Sequence, residues 1–173
     1  FMPDNGSGGG MSKDGELGHN YGFRGSKGHK TEGGHRVPFF IRWPEGNIQG
    51  GKDINELTAH VDMLPTLARL CGLKLPAKLE VDGIDFAPLL LGKKEILSAR
   101  TVFVHHSQDW RPPMDVDQTA ILSEKWRLVN GKELYEIEKD RHQDHDLSKE
   151  YTKVVAQQLS ENAKLESQAR ASQ

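Results

Sequence analysis

Fourteen of the 18 glycines fall within residues 1–51, and none follows Gly131. Glycine costs the most backbone entropy on folding and weakens helix and strand interiors, so it concentrates where the chain turns tightly or passes close to another group. The first third therefore reads as loop and site, and the remainder as scaffold. Residues 6–35 carry neither a two-residue nor a 3.6-residue apolar period, and a loop of that length is functional or disordered rather than incidental. The chain opens Phe1-Met2-Pro3-Asp4-Asn5-Gly6 without an initiator methionine at position 1, and it is expected to be a fragment.

A chain of 173 residues matches one domain on the prior of about 100 to 200 residues each. The formal charge of −2 offers no basic excess to neutralise phosphates, so nucleic acid is not an expected partner. The single cysteine excludes an internal disulfide framework and a multi-thiolate zinc site. No apolar run approaches the 18 or so residues that span a bilayer, and no basic-apolar-small leader opens the chain. A membrane is not an expected partner either.

Val37-Pro38-Phe39-Phe40-Ile41 predicts a short buried strand ending at the turn Trp43-Pro44-Glu45-Gly46. Asp62 to Cys71 predicts a helix capped by Asp62 and stopped by Gly72, with Leu64, Leu67, Ala68 and Cys71 on its packed face. Short apolar runs at Thr101–Val104, Thr119–Leu122 and Trp126–Val129 lead to Asn130-Gly131, a hairpin dipeptide, with Leu134–Ile137 as the returning strand. Tyr151, Val154, Val155 and Leu159 form one stripe of a long closing helix.

Asp4-Asn5 pairs a carboxylate with an amide carbonyl, the hard donors that Ca²⁺ prefers and Mg²⁺ also takes. Adjacent side chains on a strand diverge, so both reach one ion only across a kink, which Gly6 permits; the same three residues also read as an ordinary Asx turn. Lys27, in Arg24-Gly25-Ser26-Lys27-Gly28, can approach an anion past small neighbours, or stand as a solvated loop lysine. Gly25 to Thr31 only mimics a P-loop, lacking Gly-Lys-Ser/Thr and a preceding apolar strand. The eight histidines show no zinc spacing. His105 and His106 follow a strand, so their rings face opposite ways and at most one serves a site. Glu32 and Arg36, flanking Gly33-Gly34-His35, suit an ion pair that shapes the loop.

In order along the chain, Asp4-Asn5-Gly6, Arg24 to Gly28, Glu32 to Pro38, Arg42-Trp43-Pro44, Asp62 to Leu67, Asp82 to Asp85, Lys125 to Val129 and Glu133 to Glu136 together resemble the sulfatase family of the alkaline phosphatase superfamily. That resemblance implies an α/β fold, α+β within this piece: the C-terminal part of an alkaline phosphatase-like sulfatase fold, with a small antiparallel sheet and a long terminal helix. Residues 1–98 would close the catalytic domain, and 99–173 would form the small C-terminal subdomain. It further implies that Asp4 and Asn5 are calcium ligands and that Lys27 is the catalytic, sulfate-binding lysine. His106, Trp110 and Arg111 are expected to contact substrate, Trp110 stacking on a sugar or simply packing. The substrate would be a sulfated small molecule or glycan. The family nucleophile is a formylglycine made in Cys-x-Pro-x-Arg; Cys71 stands in Cys71-Gly72-Leu73-Lys74-Leu75 instead, so the nucleophile and further calcium ligands are expected upstream, in the part of the protein this piece would partner. Cys71 itself is expected to be a core thiol. A periplasmic or secreted location is implied in the same way. Asp140-Arg141 departs from the Asp-Pro of many relatives. A phosphoesterase or phosphonate hydrolase of the same superfamily, or a non-catalytic binding or structural module, are the alternative functions.

Overall fold

The computed structural model describes residues 1–8, 20–93, 97–106 and 116–171, without the side chains of 169–171. It forms two compact units: residues 1–2 with 39–100, and residues 3–38 with 101–173. This grouping crosses the linear division at residue 98, because the glycine-rich first segment packs with the C-terminal sheet.

In the second unit, β1 (Val102–His105), β2 (Thr119–Leu122), β3 (Trp126–Val129) and β4 (Glu133–Glu136) form an antiparallel meander in the order β1-β2-β3-β4. The turn between β3 and β4 has Asn130 at φ 55° and Gly131 at φ 67°, and Lys132 N–H closes it on the Val129 carbonyl at 3.0 Å. These are the two left-handed positions that an Asn-Gly hairpin supplies at low cost. Register aligns Phe103, Ile121, Leu128 and Leu134 across the four strands. Side chains alternate between faces, so this row forms one face, and Val154, Val155 and Leu159 of the closing helix α4 (Thr152–Ala171) pack on it. Trp126 and Tyr151 meet at 4.8 Å between ring centroids. The opposite face carries Arg127, Glu133 and Tyr135, and it receives residues 20–36.

The first unit holds α2 (Met63–Leu70) and α3 (Ala87–Leu90) around Ile48, Phe86 and Leu90. Helix α2 ends in a Schellman motif, with Leu73 N–H on the Ala68 carbonyl and Gly72 N–H on the Arg69 carbonyl. Three expectations change here. No strand forms at 37–41: Pro38 lacks a donor, and among the described residues Phe40 exchanges backbone bonds only with Phe1, a single pair that builds no ladder. Asp62 makes no cap bond to α2; fully buried, it accepts from Arg100 through both oxygens at 2.8 Å, from Ala59 N–H and from Ile84 N–H. The packed face of α2 is also rotated. Thr66 and Ala68 are buried while Leu64, Leu67 and Cys71 are exposed, because Thr66 Oγ1 turns inward to accept Phe86 N–H at 3.1 Å.

Candidate functional site

The site is built where backbones touch. A Cβ at Gly6 would overlap the Gly33 carbonyl, one at Gly33 the Gly25 carbonyl, and one at Gly34 the His29 carbonyl. No side chain fits at these three points, so the single-turn helix α1 (Glu32–His35) lies directly against two loop segments. Gly6 N–H donates to the Gly34 carbonyl at 2.8 Å. Three glycines of the first third thus serve close approach, and the Gly6 contact fixes the bend that follows Asp4 and Asn5.

That bend turns both side chains to one side: Asn5 Nδ2 donates to Asp4 Oδ2 at 2.5 Å. Asp4 is exposed and Asn5 half-buried. Both offer hard oxygens, and rotating the Asn5 amide would present its carbonyl oxygen beside the carboxylate. The pair fits two positions of a calcium shell of six to eight oxygens. Among the described residues, no three His, Cys, Asp or Glu side chains gather into a metal site.

Lys27 stands at the corner of a tight turn. His29 N–H donates to the Ser26 carbonyl at 2.9 Å, and Gly28 at φ 85° supplies the left-handed third position that a type II turn requires. Lys27 N–H donates to the Ser7 carbonyl at 2.8 Å, so the turn is pinned to the bent segment carrying Asp4 and Asn5. The Lys27 side chain is exposed, with Cδ 3.9 Å from where a Cβ on Gly8 would be. His106 comes in from the end of β1, its Cε1 3.6 Å from the Cβ position of Gly28. His105 faces the other way, its ring stacked on Phe103 and its Nδ1 2.9 Å from Thr119 Oγ1. A backbone bond at Ser7 and near approaches at Gly8 and Gly28 thus link the Lys27 turn to the segment after Asp4-Asn5 and to His106. Trp110 and Arg111 lie outside the described residues.

Among the described residues, three of the ties on this loop run to the sheet and to the turn that precedes β2. Arg24 Nη1 donates to Glu133 Oε2 at 2.7 Å and to Tyr135 Oη at 2.8 Å; Arg24 holds the Glu133 carboxyl below its ordinary range, while burial, reinforced by Glu133, pushes the Tyr135 phenol up to about 12. Lys30 Nζ donates to the Asp117 carbonyl at 2.7 Å. The third tie is buried. Glu32 and Arg127, 2% and 1% exposed, form an ion pair, and Arg36 Nη1 takes the other Glu32 oxygen at 2.8 Å. Glu32 N–H donates to Gln143 Oε1 at 2.9 Å. His35 Nε2 lies 2.8 Å from Arg127 Nη1, which can only donate, and 3.1 Å from the Lys30 carbonyl oxygen, which can only accept. Burial, then the Arg127 charge, push the His35 pKa down to about 4, which keeps the ring neutral.

The Glu32–Arg36 pair is the loop-shaping contact that the spacing suggested. Arg127 and Gln143 are the partners that sequence reasoning missed. An arginine inside the apolar run Trp126–Val129 is itself the signal, since a charge on a central strand needs a buried partner.

Residues 23–170 match the family model described as N-sulphoglucosamine sulphohydrolase, C-terminal. The steryl-sulfatase of Homo sapiens is 44% identical over 87 residues, which is 49% of this chain and 15% of that protein. The arylsulfatase A of Homo sapiens is 48% identical over 66 residues, 38% of this chain and 12% of that protein. The chain thus aligns with less than a sixth of the length of these relatives. Among solved structures, Ps i-CgsB in complex with k-i-k-neocarrahexaose superposes with a TM-score of 0.77 at 26% identity, covering 96% of this chain and 35% of that one. A structure from work on glycosaminoglycan metabolism by Bacteroides thetaiotaomicron shares the fold, with a TM-score of 0.66 at 21% identity over 84% of this chain and 32% of that one.

Proposed function

Because the chain belongs to the sulfatase family described as N-sulphoglucosamine sulphohydrolase, C-terminal, we propose that it supplies the metal-binding and sulfate-binding loops of an enzyme hydrolysing aryl or carbohydrate sulfate esters. The observation that carries this reading is the pinning of the Lys27 turn to the Asp4-Asn5 segment through Ser7. It ties the backbone of the lysine turn to the residue two places after Asn5. Asp4 and Asn5 would hold calcium, which when bound would supply positive charge against the sulfate. Lys27 would hold a sulfate oxygen by a charge-assisted hydrogen bond and stabilise the charge that develops as the S–O bond breaks. His106, beside Gly28, would contact the same group. Trp110 and Arg111 would meet the rest of the substrate. The nucleophile would be a formylglycine elsewhere in the protein, since Cys71 is not in the sequence context that such a residue needs. Residues 1–98 are proposed to complete the catalytic domain and 99–173 to form its C-terminal subdomain. A sulfated glycan is the favoured substrate class, given that Ps i-CgsB was solved with an oligosaccharide, and a periplasmic or secreted location accompanies it.

The test is turnover of an aryl sulfate and of a sulfated oligosaccharide by a sulfatase polypeptide containing this chain. Hydrolysis should be lost on calcium chelation. Lys27→Ala should lower kcat/KM by roughly ten- to 150-fold, the range of about 1.5–3 kcal/mol for a hydrogen bond to a charged group. Turnover of phosphate monoesters and not of sulfate esters would overturn the assignment.

A further inference from the structure

We infer that Arg127, on the sheet and outside the reacting group, is a positioning residue that sets where Lys27 stands; the catalytic half of this inference rests on the sulfatase reading above. Among the described residues, the hydrogen bonds and the ion pair of the Arg127 guanidinium fall on the six residues from Lys30 to His35. It pairs with the Glu32 carboxylate, donates to His35 Nε2 at 2.8 Å, and lies 3.5 Å from the Lys30 carbonyl. One guanidinium fork therefore holds the start, the middle and the end of the segment that follows the lysine turn.

The segment passes that constraint on without slack. Gly34 lies against the His29 carbonyl and Gly33 against the Gly25 carbonyl with no room for a Cβ, so α1 cannot shift without moving both flanks of Ser26–His29. Gly34 also accepts the Gly6 N–H, which extends the hold to the Asp4-Asn5 bend. Stability alone does not account for a buried arginine here. Removing two charges from water costs several kcal/mol, and well-packed apolar residues commonly replace such pairs without loss. What an apolar side chain cannot do is engage a carboxylate, an imidazole and a carbonyl in one geometry.

The experiment compares Arg127→Met, Arg127→Lys and Leu128→Ala. Hydrogen exchange in the 173-residue chain reads the turn through the Lys27 and His29 amides, and the sheet through its own ladder amides. Kinetics with an aryl sulfate are measured in a sulfatase polypeptide containing the chain. Arg127→Met should accelerate exchange at Lys27 and His29 by about tenfold or more while leaving the ladder amides unchanged. It should lower kcat/KM by about 10- to 100-fold, the scale of a misplacement near 1 Å. Arg127→Lys, which keeps the charge and loses the fork, should fall between Met and wild type in both readings. Leu128→Ala should accelerate ladder and turn together.

Exchange at Lys27 and His29 no faster than in the ladder for Arg127→Met, or kcat/KM unchanged despite a selectively opened turn, would overturn the proposal. Should Arg127→Met not fold, His35→Ala leaves the ion pair intact, removes one arm of the fork, and should open the turn selectively by a smaller factor; uniform or absent change there is equally fatal. Selective opening in a parent protein that never hydrolyses sulfate esters would instead strike the functional reading and leave the positioning intact.

Discussion

At Gly34 a single methyl group is enough to disturb the site, because the atom it would strike is the backbone oxygen of His29 and no rotamer change relieves the clash. Gly34→Ala should destabilise the second unit by about 1–3 kcal/mol, the usual cost of overpacking, read as a lowered urea midpoint. Lys30→Ala loses only the bond to the Asp117 carbonyl and should cost kcat/KM far less than Lys27→Ala in the same assay. His35 gives a pH signature. Its folded pKa lies near 4, below the ordinary 6.5, so the unfolded chain binds more protons between those values. Stability from this group should be complete above pH 6.5 and fall as pH drops toward 4, by up to about 3 kcal/mol over that window. Urea midpoints at pH 7, 5.5 and 4.5 should therefore fall more steeply for wild type than for His35→Gln, whose amide oxygen still accepts from Arg127 but does not titrate. Equal slopes would show that His35 is not held neutral in the folded chain.

Strand β3 does two jobs by alternation: Leu128 faces α4 and Arg127 faces the loop. Leu128 is fully buried, and Leu128→Ala should cost about 2–5 kcal/mol, measured by thermal unfolding and accompanied by loss of helix packing at Leu159. The hairpin, the meander and the stripe of α4 were legible because each obeys a local rule: an Asn-Gly turn, short apolar runs, a 3.6-residue period. Partner choice has no local rule. His35 and Arg127 lie 92 residues apart, and nothing near either names the other. Segment 37–41 misled because its apolar run is real while its ladder is not, with Pro38 removing a donor and Phe1, among the described residues, the only exchange partner of Phe40. On α2 the apolar pattern pointed to Leu64 and Leu67, yet Thr66 won the inward position by capturing the Phe86 amide. At the site, the short motifs singled out the Asp4-Asn5 segment and the Lys27 turn as candidates, and the glycines signalled close backbone contact, realised at Gly6, Gly33 and Gly34, without saying which backbones meet.

For the molecule as a whole, two oxygen donors at Asp4 and Asn5 cannot replace the hydration shell of a hard cation by themselves. Calorimetric titration of the isolated chain with calcium should show weak or no binding. In a sulfatase polypeptide containing it, Asp4→Ala should weaken calcium binding more than Asn5→Ala, since it removes a full negative charge. Tight calcium binding by the chain alone, or indifference to Asp4→Ala, would return the pair to an ordinary turn. The ties across the sheet also impose an order on biogenesis. Arg24 is held by Glu133, 109 residues later, and Lys30 by Asp117, 87 residues later. A ribosome adding about 5–20 residues per second needs roughly 5–20 s to cover that distance. Throughout that interval the lysine loop has emerged without its partners at Asp117, Arg127 and Glu133, exposed to proteases and to premature pairing. A nascent chain stalled before the β3–β4 hairpin should therefore be cut within residues 20–36, and one released after it should be protected.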